Sequence, residues 1–210
     1  RRVLFRSAMT EGLAAPDGLA NERHVNLYRA WAKGGCGLLV TGNVMVKGDH
    51  LERPGNVIID GKQSAEALQR LKAWSEAAKD NDTRVWMQIS HSGRQCQARV
   101  NKHPKSASDV QLALPGGQFA KPTPLTVEEI EDLVDAFVST AMTAAETGFD
   151  GVQVHAAHGY LISQFLSPKS NLRKDDWGGS LENRARFLRR IVTGIKTVAP
   201  AGFAVSVKLN

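Results

Sequence analysis

Short apolar runs alternate with amphipathic helical stretches along this chain, and polar residues gather where the apolar runs end. Together these patterns predict an α/β fold, an incomplete (β/α)8 TIM barrel with about five of its eight strands. Continuous apolar runs joined by helices imply strands covered on both faces, and hence a parallel sheet. Thr10, Gln88, His91, His155, His158 and Lys208 fall at the C-terminal ends of such runs, where a barrel of this kind carries its active site. No GxGxxG pattern follows the first strand, so a dinucleotide-binding doubly wound sheet lacks its main signature.

Each element has its own justification. A β-rich start over residues 2–9 ends in Thr10-Glu11-Gly12. Residues 22–33 read as a helix closed by Gly34-Gly35, and residues 37–46 (GLLVTGNVMV) as a buried strand. Residues 64–80 form an amphipathic helix with Ala65, Leu68, Leu71, Trp74 and Ala78 on one stripe, followed by a strand over 84–90 (RVWMQIS). Residues 91–124 carry four prolines and no regular period. The same rhythm resumes beyond them, so they read as a long loop above the core, the kind that is often functional. Thr126 and Glu129 fit a capping box that opens a helix to about Thr147, ended by Gly148. A strand over 151–154 follows, then a helix over 181–198 stopped by Pro200, then a last strand over 203–209.

Bulk properties narrow the function. The chain of 210 residues is 42% hydrophobic and 23% charged, with a net charge of +6, which suits one domain over residues 1–210 with a sizeable core. It has no long Lys/Arg block and no basic stripe interleaved with aromatics, which argues against a nucleic-acid partner. No apolar run reaches the roughly 18–20 residues of a membrane span, and the opening Arg1–Arg6 is too short for a signal peptide. Two isolated cysteines, Cys36 and Cys96, form neither a disulfide framework nor a metal spacing, which points to a reducing, cytoplasmic setting.

The chemistry concentrates in His155-Ala156-Ala157-His158-Gly159-Tyr160-Leu161, just beyond the strand Gly151-Val152-Gln153-Val154. Two imidazoles can hold a carbonyl or other anionic oxygen, and a nearby phenol can supply a proton. Each residue also has a plainer reading: a structural histidine pair, a packing tyrosine, a Gln88 that is only a polar strand end, a Thr10 that only caps a turn. Zinc is the other ligand that two histidines suggest, but no third ligand is spaced for it, so no metal is expected.

This stretch continues through Gln164-Phe165-Leu166-Ser167-Pro168, Asn171, Arg173, Asp175, Gly178-Gly179-Ser180, Glu182-Asn183-Arg184 and Arg186-Phe187. With Met9-Thr10, Gly42, and Gln88 followed by His91-Ser92-Gly93-Arg94 in order, it resembles the Old Yellow Enzyme family of FMN-dependent NAD(P)H oxidoreductases over nearly the whole chain. The resemblance implies a barrel truncated here at its C-terminus, FMN as cofactor and NADH or NADPH as hydride donor. It implies that Ala8, Met9 and Thr10 lie along the flavin, with Thr10 at the O4 region, and that Gly42 lets the backbone approach the ring. Gln88 would pair with the pyrimidine edge, and Lys208 would sit near N1 and O2. His155 and His158 would hold a substrate's carbonyl oxygen, and Tyr160 would protonate the alkene carbon after hydride arrives from the flavin. Ala8, Thr41, Trp177 and Lys208 stand where the family usually has proline, glutamate, tyrosine and arginine.

The implied activity is an ene-reductase acting on α,β-unsaturated carbonyls, with a small-molecule substrate as partner. Two other readings stay open. One is a dienoyl-thioester reductase of the same superfamily. The other is a non-catalytic fragment unable to hold FMN. An open parallel sheet also exposes an edge through which copies can pair, so a homo-oligomer is an open expectation.

Overall fold

A computed structural model describes residues 4–210. In chain order the elements are β1 (Phe5–Arg6), α1 (Glu22–Lys33), β2 (Leu38–Met45), β3 (Val57–Ile58), α2 (Ala65–Ala78), β4 (Arg84–Ser90), β5 (Lys105–Ser106), β6 (Thr123–Pro124), α3 (Val127–Glu146), β7 (Gly151–Ala156), α4 (Leu161–Leu166), α5 (Leu181–Arg184), α6 (Arg186–Val198) and β8 (Ala204–Leu209).

The main sheet runs β1-β2-β4-β7-β8, every pair parallel, with β3 lengthening the free edge of β2 at its far end. Each major strand lies beside the next in sequence, as right-handed strand-helix-strand crossovers dictate. The result is a parallel sheet with helices on its outer face, the arrangement of an incomplete (β/α)8 barrel.

Side-chain alternation assigns the two faces. Val85, Met87 and Ile89 of β4, Val152, Val154 and Ala156 of β7, and Val205 and Val207 of β8 point outward into the helices, where they join one apolar core with Trp74, Phe137, Phe165 and Phe187. On that face α1 packs against α2, and α3 against α6.

The capping box at Thr126 and the stop at Pro200 lie where the sequence places them, and two further side-chain caps join them. Asn21 caps α1 in a reciprocal box with His24, Ser64 caps α2, and Thr126 caps α3 in the box with Glu129. Pro200 follows an extended Ala199 that closes α6.

Four features depart from the sequence reading. The strand expected over 2–9 is the short β1, and residues 2 and 3 of the expected strand lie outside the described residues. The helix expected over 181–198 is two helices, broken at Ala185. There the neighbouring guanidinium groups are tied elsewhere, Arg184 to Leu166 O and Arg186 to Asp176 O. The short helix α4 directly follows Tyr160. The long loop after β4 is internally ordered, with a 3-10 turn at Gly93–Gln95, the parallel pair β5–β6 and an antiparallel bridge between Gln97 and Phe119.

Candidate active site

The inner face of the sheet is polar toward its C-terminal end. Asn43 pairs with Gln88, Gln88 with Gln153, and Gln153 with Ser206, so four neighbouring strands contribute one polar layer. Hydrogen bonds run along it. Gln88 Nε2 donates to Gln153 Oε1 at 3.2 Å, and Gln153 Nε2 donates to Ser206 Oγ at 3.5 Å. The next layer outward sets His155 beside Lys208. Burial holds the Lys208 ammonium below its ordinary pKa.

A bulge in β2 aligns this layer. The register of β2 against β4 slips between Val40 and Asn43. At the slip the Thr41 hydroxyl accepts from Gln88 N at 2.9 Å and donates to Gly42 O at 2.8 Å, replacing ladder bonds that the bulge removes. Gly42 is needed there for space. A Cβ would meet Met9 O and Thr10 Cα, each at 2.7 Å, and also the Glu11 carboxylate. Gly42 thus brings the segment after β1 hard against β2. Along that segment Ala8 and Thr10 are half-buried, while the Met9 side chain is 64% exposed.

His155 is buried near the C-terminal end of β7, and its Nδ1 accepts from Ala157 N at 3.3 Å. That bond leaves the proton on Nε2, which makes the outer ring nitrogen a donor. Burial lowers the His155 pKa to about 3, helped by the charges of Lys208 and His158, so the ring is neutral at physiological pH. The His158 ring lies 5.1 Å from it and the Tyr160 ring 4.9 Å from it, both edge-on.

The turn that presents these rings is unusual. His158 has φ +58 and Gly159 φ +74, two consecutive left-handed residues. His158 N donates to Asn210 Oδ1 and its carbonyl accepts from Gln95 Nε2. A left-handed β-carbon costs energy and persists where surrounding contacts over-determine it, often at functional sites.

Two residues complete the site that sequence reasoning missed. Asn43 is buried in the polar layer, and its Oδ1 has no partner among the described residues. Glu52, in the loop after β2, accepts from Thr10 Oγ1 at 2.6 Å, from Asn43 Nδ2 at 2.7 Å and from Arg53 at 2.9 Å. Desolvation pulls the Glu52 pKa upward, but those three donors win and hold it below the ordinary carboxylate value. The period-two spacing of Gln153 with His155, and of Ser206 with Lys208, signals the polar face in the sequence. Nothing in Leu51-Glu52-Arg53-Pro54 signals a site residue.

His91, at the end of β4, does not join the group around His155. It stacks on His50 with ring centroids 4.5 Å apart, and its Nδ1 accepts from Gly93 N. The pair borders a separate cavity lined by Lys47, Asp49, Lys105 and Glu129. Arg173, Asn171 and Arg184 secure the chain after α4. Arg173 bonds Leu125 O and Ala107 O, Asn171 bonds Phe165 O and Trp177 O, and Arg184 bonds Leu166 O. Among the described residues no group of three or more His, Cys, Asp or Glu is placed to hold a metal ion, and no helix is long and apolar enough to cross a membrane.

A parallel barrel sheet with donors, acceptors and a cation converging at the C-terminal strand ends has the form of a barrel-type ligand site. The profile of the NADH:flavin oxidoreductase / NADH oxidase family matches residues 1–210, and the chain belongs to that family. It is 38% identical over 222 residues to the NADH-dependent flavin oxidoreductase iliE of Neonectria sp. (strain DH2), covering 99% of this chain and 29% of that protein. It is 38% identical to the NADH-dependent flavin oxidoreductase nadA of Aspergillus parasiticus over 96% of this chain and 46% of that one. It is 34% identical to the NADPH dehydrogenase of Bacillus subtilis over 87% and 52%. Among solved structures it matches the old yellow enzyme homologue from Zymomonas mobilis with a TM-score of 0.86 and 26% identity, covering 98% of this chain and 58% of that chain. The chain therefore spans about half or less of the length of these curated relatives.

Proposed function

We propose that the protein containing this chain is an FMN-dependent oxidoreductase that takes reducing equivalents from NADH or NADPH and reduces activated alkenes, α,β-unsaturated carbonyl compounds above all. The observation that carries this reading is the polar layer Asn43, Gln88, Gln153 and Ser206, capped by His155 and Lys208 and faced by Tyr160. Residues 1–210 then contribute to a single FMN-binding barrel domain of a soluble, cytoplasmic enzyme.

The residues fit a flavin. Gln88 would offer amide donor and acceptor to the pyrimidine edge, Lys208 would offer positive charge beside N1 and O2, and Asn43 holds a buried acceptor with no partner among the described residues. Met9 and Ala8, after β1, would lie along the ring, and Gly42 keeps that segment close. Bound there, FMN would supply hydride to the β-carbon of the alkene.

The remaining work falls to side chains. Negative charge develops on the substrate's carbonyl oxygen as hydride arrives. His155, a neutral donor through Nε2, stabilises it together with His158. Tyr160 then delivers its phenolic proton to the α-carbon.

Equilibrium titration with FMN, read by the flavin absorbance bands, tests the cradle. The wild-type chain is expected to retain FMN after desalting, and Gln88→Leu is expected to weaken retention about tenfold or more, through loss of the amide pairing in a buried layer. Equal retention by both proteins, or none by the wild type, contradicts the assignment.

A further inference from the structure

His158 holds a backbone conformation that its own side chain opposes. Its φ is +58, and among the described residues only Asn81 and Asp82 share a positive φ without being glycine. A β-carbon in the left-handed region crowds the following carbonyl, so the conformation needs support from outside the turn.

Two amide side chains on distant segments supply it. Asn210, just past β8, accepts from His158 N through Oδ1 at 2.9 Å. Gln95, in the turn after β4, donates from Nε2 to His158 O at 2.7 Å. Among the described residues neither of these two His158 groups has a backbone partner. The bonds grip the two rigid peptide planes that meet at the His158 Cα. Holding both planes fixes φ and ψ together, and with them the direction in which Cβ leaves the chain. Gly159 makes room for the grip, since a Cβ there would meet Gln95 Nε2 at 2.6 Å. Gln164 Nε2 donates to Gly159 O at 2.7 Å and holds the next plane. The exposed His158 ring is thereby kept edge-on to the buried His155 ring, 5.1 Å away.

Resting on the reading of His155 and His158 as holders of a carbonyl oxygen, we infer that Gln95 and Asn210 are positioning residues of the reaction. Together they clamp His158 in its left-handed turn, so that both imidazoles address one oxygen. A His158 free to relax to a negative φ would turn its ring away and leave His155 alone there.

Two comparisons test this. The first does not depend on what the site binds. Glycine adopts a positive φ freely, whereas an alanine β-carbon is strained there. In the full-length protein, His158→Gly is therefore expected to have a higher urea midpoint than His158→Ala. In a Gln95→Leu or Asn210→Leu background the turn is free to relax, and that advantage is expected to vanish. An advantage that persists undiminished in every background that folds overturns the inference.

The second comparison uses the opposite polarity of the two bonds. The clamp needs an acceptor at Asn210, so Asn210→Asp keeps it and Asn210→Leu removes it. It needs a donor at Gln95, so Gln95→Glu removes it. With saturating FMN and cyclohexenone as substrate, Asn210→Leu and Gln95→Glu are expected to raise KM about tenfold, and Asn210→Asp to restore most of that loss. Side chains that only fill space would tolerate Gln95→Glu as well as Asn210→Asp. Equal KM values in all three variants contradict the positioning role. A wild type that does not turn over cyclohexenone would fault the proposed function, and the urea comparison then decides the clamp.

Discussion

Two pairs of histidines stand at the same end of the sheet and do opposite things. His50 and His91 are 4% and 2% exposed and stacked face to face. His50 is held at both ring nitrogens, by Asp49 at Nδ1 and by the Lys105 amide at Nε2, while His91 accepts from Gly93 N. His155 and His158 meet edge-on beside Tyr160 and Lys208, and His158 is exposed on a left-handed turn. The first pair uses its ring atoms to fasten loops together. The second leaves donors facing the inner, polar side of the sheet. What a histidine does here follows from which face of the strand it leaves and whether backbone groups already occupy its nitrogens.

One residue supports both loops, and breaking it should have the largest effect on stability. The fully buried Gln164 in α4 donates to Ser92 O and Gly159 O, and accepts from Arg94 N and Ser106 Oγ. Gly93 leaves room for it, since a Cβ there would strike the Gln164 amide. Gln164→Ala strands four partner groups, two of them in fully buried bonds, and should cost about 3 kcal/mol in urea unfolding. It should also lower cofactor retention, because Gly159 belongs to the turn that presents His158 and Tyr160. A loss of stability with retention untouched would show that the two loops are independent.

The histidine pairs themselves should separate next. His91→Ala should destabilise by about 2 kcal/mol through the cavity and the lost stacking, and leave affinity for a carbonyl-mimicking ligand unchanged. His155→Ala should weaken that ligand about tenfold or more through loss of the Nε2 donor. Calorimetric titration alongside urea unfolding reads both, and the contrast fails if His91→Ala weakens the ligand as much as His155→Ala does.

A smaller effect comes from pH. Burial lowers His24 to about 4 and His155 to about 3, and it lowers His91 well below its ordinary value of 6.5. Between those folded values and 6.5 the unfolded chain binds more protons than the folded one, so stability rises with pH across that window and is lost on acidification. Urea midpoints should therefore fall from about pH 6.5 toward pH 4, and His24→Gln should flatten that fall. A flat profile in the wild type would mean that these rings are protonated when folded.

Much of this was legible in the sequence. The alternation of apolar runs and helices carried the parallel sheet, and the caps at Thr126 and Pro200 placed helix ends, because these signals act over a few residues. His155, His158 and Tyr160 stood out because they sit within one turn of a strand end. Asn43 and Glu52 did not, because what makes them part of the site is a meeting of distant segments: the Thr10 hydroxyl reaches Glu52 across 42 positions. His91 looked equivalent to His155 for the same reason. Its stacking on His50 is a tertiary fact that no local pattern carries.

The central claim is that Tyr160 supplies the proton while His155 and His158 hold the oxygen. The most direct measurement separates the two half-reactions of the FMN-loaded full-length protein with Tyr160→Phe. Flavin reduction by NADH or NADPH should keep its wild-type rate, and reoxidation by an α,β-unsaturated carbonyl compound should slow by about a hundredfold. Equal loss in both half-reactions, or full alkene reduction without the phenol, would contradict the account.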